Sequence, residues 1–158
     1  MPDTETHPLP PFAPANARLL MLGSFPPPRG RWKMNFYYPN IQNDMWRIFG
    51  LVFFDDRDRF VSADSKGYRE ADIRTFLAAK GIAISDTAQR VRRLQGNAAD
   101  KALQILEPLD LAALLARLPY CHAILTTGEL ATRTLLTLLP ADSVAPAIGA
   151  PGHADCCG

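Results

Sequence analysis

Three short apolar runs punctuate the chain: "RLLMLG" (18–23), "IAISD" (82–86) and "HAILTTG" (122–128). They are too short for helices, and their unbroken apolar character is that of strands covered on both faces. The intervening segments have helical spacing. "NDMWRIFGLVF" places Met45, Trp46, Ile48, Phe49 and Val52 on a helix opened by Asn43 or Asp44 as N-cap. "READIRTFLAAKG" buries Ile73, Phe76 and Leu77 and stops at Gly81, "DLAALLARLP" closes at Pro119, and "ELATRTLLTLLP" starts at Gly128. Short apolar strands alternating with amphipathic helices predict an α/β chain: a three-layer αβα sandwich around a short parallel sheet of three strands.

At 158 residues and 47% hydrophobic content the chain is the size of one domain with one core. Residues 1–16, rich in proline and polar groups, are expected to form a loosely attached flexible arm ahead of a domain over 17–140. Residues 141–158, "ADSVAPAIGAPGHADCCG", hold neither a strand-length apolar run nor a helix pattern and are expected to form an irregular tail. That leaves an open sheet edge beside the third strand, where an α/β domain normally adds another. The first residues carry acids and prolines rather than an apolar leader, and no segment reaches membrane-spanning length. A monomer in the cytoplasm with no membrane partner is the expectation.

Several chemistries are disfavoured by residue type and spacing. Three cysteines, Cys121, Cys156 and Cys157, make neither a disulfide framework nor a four-thiolate cluster, and Cys121 beside an apolar strand is expected to be a reduced, buried thiol. His7, His122 and His153 share no metal-ligand spacing with acids or cysteines, so neither a metal nor a cofactor is expected. The turn after Gly23 lacks the GxxxxGK[ST] and GxGxxG phosphate patterns, and Ser24 sits in no GxSxG elbow.

What remains is the loop "MLGSFPPPRGRWKMNFYYPNIQNDMW", which is far longer than an ordinary connection. In an open parallel sheet, ligands bind beyond the carboxyl ends of the strands. The loops at that edge, 23–43, 86–96 and 126–129, carry the aromatic run Phe36–Tyr38 and the basic clusters Arg29, Arg31, Lys33 and Arg90, Arg92, Arg93. With a net charge of only +1, any attraction for an anion must come from such local clusters. Aromatic rings interleaved with basic side chains suit a nucleobase and its phosphates. The plainer alternatives are a solvated basic face and aromatics that roof the sheet.

"LMLGSFPP" followed by "FYYPNIQNDMW" resembles the uracil-DNA glycosylase superfamily, and most of all the branch that includes hypoxanthine-DNA glycosylases. That branch has G-[ST]-x-P as its first motif and paired tyrosines with N-x-[FM]-W in the following loop. "GIAISDTAQRVRRLQGNAADKAL" and "AILTTGELA" resemble its second- and third-strand regions, so the likeness runs from about 18 to 139. The resemblance implies a monofunctional enzyme that flips a deaminated base, uracil or hypoxanthine, out of DNA and hydrolyses its N-glycosidic bond in base excision repair. It implies that Asn43 positions the attacking water, with a plain helix cap as the competing role. Gly23, Ser24, Phe25, Pro26, Tyr38, Met45 and Asp86 would line the base pocket, although Asp86 could instead cap the following turn. Arg29, Arg31, Lys33, Arg90, Arg92, Arg93 and Gly128 would meet the DNA backbone. Phe25 replaces the water-orienting Asn that other branches carry in the first motif. The family's fourth strand and P-S-[ST]-S-type loop have no counterpart in "APGHADCCG". The rival readings are a catalytically impaired DNA- or nucleotide-binding module of the same fold and a flavodoxin-like small-molecule binder.

Overall fold

The computed structural model of the chain describes residues 3–94, 103–144 and 149. Its centre is a parallel sheet of three strands, β2 (Leu19–Gly23), β3 (Ile82–Asp86) and β6 (Ala123–Thr126), in the order β3-β2-β6. Strand side chains alternate between faces. Met21, Ile82 and Ile84 point into an aromatic core shared with α1 (Met45–Phe54) and α2 (Glu70–Lys80), where Phe36, Tyr37, Trp46, Phe49 and Phe76 pack. Leu20, Leu22 and Ala83 face a smaller aliphatic core with Leu111 and Leu114 of α3 (Leu111–Ala116) and Leu135 of α4 (Glu129–Leu138). This is the three-layer αβα arrangement expected from the strand and helix pattern.

The local signals hold because each has a mechanical cause. α2 ends at Gly81, whose φ of 73° is a left-handed turn that only glycine adopts without strain, and its amide bonds back to the Ala78 and Leu77 carbonyls. The Asp110 side chain accepts the Ala113 N–H at the start of α3.

The second sheet was not expected. β1 (Thr4–Thr6), β4 (Ala88–Arg93) and β5 (Leu103–Pro108) form an antiparallel sheet in the order β1-β4-β5. β4 therefore replaces much of the loop expected over 86–96. One residue, Thr87, turns the chain from the parallel sheet into this one. It is fully buried, with its amide (2.7 Å) and hydroxyl (3.0 Å) both donating to the Gly23 carbonyl.

The flexible arm expected over 1–16 is also corrected. Its described part is anchored along its length: Thr4–Thr6 pair with β4, Leu9 is buried in the aromatic core, and Phe12 bridges Ile84 on the outer edge of β3. Prolines there suit an extended edge segment rather than mobility. At the other side of the parallel sheet, β6 pairs only with β2 among the described residues, and Leu125 is exposed. The tail expected over 141–158 lies mostly outside the described residues. Within them, no helix is long and apolar enough to cross a membrane.

Candidate active site

Gly23 and Asp86, the last residues of β2 and β3, are register partners. Neighbouring positions on parallel strands project to the same side, so Asp86 reaches into the space that a side chain at residue 23 would occupy. A Cβ built on Gly23 would lie 2.5 Å from Asp86 Oδ1, 3.1 Å from the Tyr38 hydroxyl oxygen and 3.5 Å from Thr127 Oγ1. Gly23 is itself buried, and its lack of a side chain lets three segments far apart in sequence converge at one point, the mouth of the candidate site. Tyr38 and Thr127 share a hydrogen bond of 2.9 Å across it. Tyr38 is held at φ 51°, an uncommon backbone conformation for a bulky residue and one that aims its ring at the strand ends.

Asp86 is almost fully buried, and its Oδ2 lies 2.7 Å from His7 Nε2. The His7 ring is itself buried, edge-on to Phe25 (5.3 Å between centroids) and tilted against Tyr37 (5.7 Å). Its Nδ1 lies 3.0 Å from the Leu9 carbonyl oxygen and 3.1 Å from the Leu9 amide nitrogen. Desolvation, followed by the field of the Asp86 carboxylate, pushes the Tyr37 and Tyr38 hydroxyls well above their ordinary value of 10.0, so both are neutral donors at physiological pH.

The aromatic run divides by function. Phe36 and Tyr37 are core residues, 1% and 3% exposed, as is Trp46, whose indole N–H donates to the Tyr37 carbonyl at 3.0 Å. Only Tyr38 reaches the mouth, and Trp46 packs edge-on behind it at 5.9 Å. Three residues before Trp46, Asn43 is exposed at the start of α1. Its Oδ1 accepts the Met45 N–H at 2.9 Å, so the amide is oriented by the helix end. Met45 is half-buried against the aromatic core. Ser24 and Pro26 present carbonyls to the second sheet, from the Ala88 amide at 3.1 Å and the Arg93 guanidinium at 2.6 Å respectively.

The basic residues divide as well. Arg29 and Arg31 sit on an exposed 3-10 turn, Arg29 stacked 4.2 Å over Trp32, and Lys33 follows in the open. Arg90 is exposed and paired with Glu107 at 3.5 Å, and Arg92 reaches Gln104 at 3.3 Å. Arg93 departs from the expected role at the DNA backbone. It is buried on the inner face of β4, bonded to Glu5 at 2.6 Å and to the Pro26 carbonyl, with its guanidinium 5.4 Å from the Phe25 ring. The strand alternation that exposes Arg90 turns Arg93 inward. Gly128 is exposed at the start of α4, but its φ of 177° is ordinary extended backbone and demands no glycine.

Sequence reasoning missed His7 and Thr127. The strand pattern could have placed Thr127 beside Gly23, since it follows the third strand directly. Nothing local marks His7, whose partner lies 79 residues away. Cys121 is half-buried rather than buried. Among the described residues, no group of three or more His, Cys, Asp or Glu side chains could hold a metal ion. A cleft of about 260 Å³ between β5 and α3, lined by Pro11, Glu107, Asp110 and Arg117 among others, shares no residue with the mouth.

No protein-family model matches the chain, and neither does any curated protein. Among solved structures it is similar to a solution NMR structure of a "putative Uracil DNA glycosylase" from Methanosarcina acetivorans. The two share 22% sequence identity, and the match covers 84% of this chain and 76% of the other with a TM-score of 0.62. The likeness establishes the fold: the chain is an αβα sandwich of the architecture that protein has.

Proposed function

We propose that the chain is a DNA glycosylase that hydrolyses the N-glycosidic bond of a deaminated base, uracil or hypoxanthine, as a monomer in cytoplasmic base excision repair. The observation that carries this reading is the mouth at the ends of β2, β3 and β6, where the Asp86 carboxylate stands over bare Gly23 backbone beside the Tyr38 hydroxyl. A carboxylate accepts hydrogen bonds and donates none. Deamination turns the ring-nitrogen acceptor of cytosine or adenine into an N–H beside a carbonyl. A fixed acceptor therefore favours the deaminated base and leaves the normal one facing lone pair against lone pair.

The chemistry asks little more of the chain. A water oriented by the Asn43 amide attacks the sugar C1′. The C1′–N bond breaks with its electron pair on the base, and the water's proton passes to solvent. Tyr38, neutral and hydrogen-bonded to Thr127, flanks the departing base. Arg29, Arg31 and Lys33, with Arg90 and Arg92 from the neighbouring sheet, carry the phosphate contacts. The fold shared with the "putative Uracil DNA glycosylase" supports this reading.

A second reading rests on Asn43. Its Oδ1 already accepts the Met45 N–H, which favours a module that holds DNA or a nucleotide without cleaving it. The experiment is incubation of end-labelled oligonucleotides containing uracil or hypoxanthine, followed by alkali. Strand breaks in wild type that disappear in Asn43→Ala support the enzyme. DNA binding without breaks leaves the module, and absence of both leaves a small-molecule protein.

A further inference from the structure

We infer that His7 is a positioning residue for Asp86: it donates a hydrogen bond from Nε2 to Oδ2, which fixes the carboxylate and draws its charge away from the departing base. This rests on the glycosylase reading above and adds a residue from outside the strand ends and their loops. Nε2 and Oδ2 are 2.7 Å apart with both side chains buried, 3% and 7% exposed. A buried carboxylate without a donor is costly, so the Nε2 proton belongs in this bond whether or not the ring is charged.

The ring cannot turn away. It packs against Phe25 and Tyr37, Nδ1 lies between the Leu9 carbonyl and amide, and the His7 amide donates to the Gln89 carbonyl at 2.8 Å, extending the β1–β4 pairing by one residue. The second sheet thereby delivers the ring to the end of the first. With Oδ2 occupied, Oδ1 is the oxygen over Gly23 and the one left for a ligand.

The need for such a donor follows from charge. The base leaves as an anion, and a bare carboxylate at its edge would oppose departure. A hydrogen bond on the far oxygen reduces that opposition most when the charge on the base is greatest, in the transition state. The effect of His7 should therefore fall on kcat rather than KM.

Single-turnover excision is compared in wild type, His7→Gln, which keeps a donor, and His7→Leu, which does not. Both changes are repeated on Asp86→Ala, and folding is followed by thermal unfolding. The expected result is a fall of about tenfold to a hundredfold in kcat for His7→Leu, the value of one charge-assisted hydrogen bond, with KM nearly unchanged. His7→Gln should recover most of that loss, and His7→Leu should add nothing once Asp86 is Ala. An additive loss on Asp86→Ala, or a folded His7→Gln no better than Asp86→Ala, would overturn the inference; the second outcome decides even if His7→Leu does not fold. A wild type that excises base while His7→Leu matches it also sinks the inference and spares the glycosylase reading. A wild type that excises neither base sinks both.

Discussion

A methyl group on Gly23 would meet Asp86 Oδ1 at 2.5 Å, closer than real Cβ contacts come. Asp86 cannot swing aside, because His7 holds its other oxygen. Gly23→Ala should therefore destabilise the fold by about 1–3 kcal/mol, the usual range for overpacking a tight site, and abolish base excision. Chemical denaturation and the alkali assay check the two effects. A fully active, equally stable alanine variant would mean that the mouth is looser than its geometry.

Asn43 separates capping from chemistry. Losing its bond to the Met45 N–H should cost about 1 kcal/mol in Asn43→Ala. Asn43→Asp keeps an acceptor for that amide, so its stability should match wild type. If the amide also positions water, both variants should lose about a hundredfold or more in rate. Rates that track stability across the two would assign Asn43 to the helix alone.

Arg93 and Arg31 should behave oppositely. Arg93→Gln breaks an ion pair whose arginine is buried but whose Glu5 is 41% exposed, so a cost of about 2 kcal/mol is expected, below that of a fully buried pair. Arg31→Ala should leave stability unchanged and lower the slope of log DNA affinity against log salt by about 1. Urea melts and a salt titration of binding test the two together.

The N-terminal segment gives a sharp contrast. Were residues 1–9 a loose arm, deleting them would change nothing. Deletion instead removes β1, exposes the core beneath Leu9 and strips Asp86 of its donor. A loss of about 4 kcal/mol or more is expected, from apolar burial and an orphaned carboxylate. A truncated chain melting at the wild-type temperature would contradict it.

The tyrosines predict an alkaline transition. Tyr37 and Tyr38 keep their protons in the folded state to higher pH than the ordinary value of 10.0 at which the unfolded chain releases them. Above that value the unfolded state binds fewer protons than the native one, so stability is intact below about pH 10 and falls as pH rises beyond it. Each tyrosine adds about 1.4 kcal/mol per pH unit. Equilibrium unfolding against pH, with Tyr37→Phe shallower than wild type, measures this.

The parallel sheet and its helices were legible because each rests on a local pattern. Apolar runs such as "IAISD" bury on both faces, Ile73, Phe76 and Leu77 repeat at helical spacing, and Gly81 stops α2 by its own backbone freedom. That strands end at Gly23 and Asp86 was legible from the apolar runs, but that these two residues are register partners on adjacent strands was decided by the folded sheet.

The second sheet was not legible because its strands are short, half-polar and paired at long range. "TET" and "AQRVRR" carry no strong pattern until they lie against one another. Residue order alone therefore determined the layers, the three parallel strands and the types of side chain available at their ends, whereas the order β3-β2-β6 came from the structure. Only the tertiary structure decided that Arg93 turns inward, that Tyr38 and not Tyr37 reaches the mouth, and that His7 meets Asp86. Those outcomes depend on pairing between distant segments, whose energy exists only once the chain has closed around it.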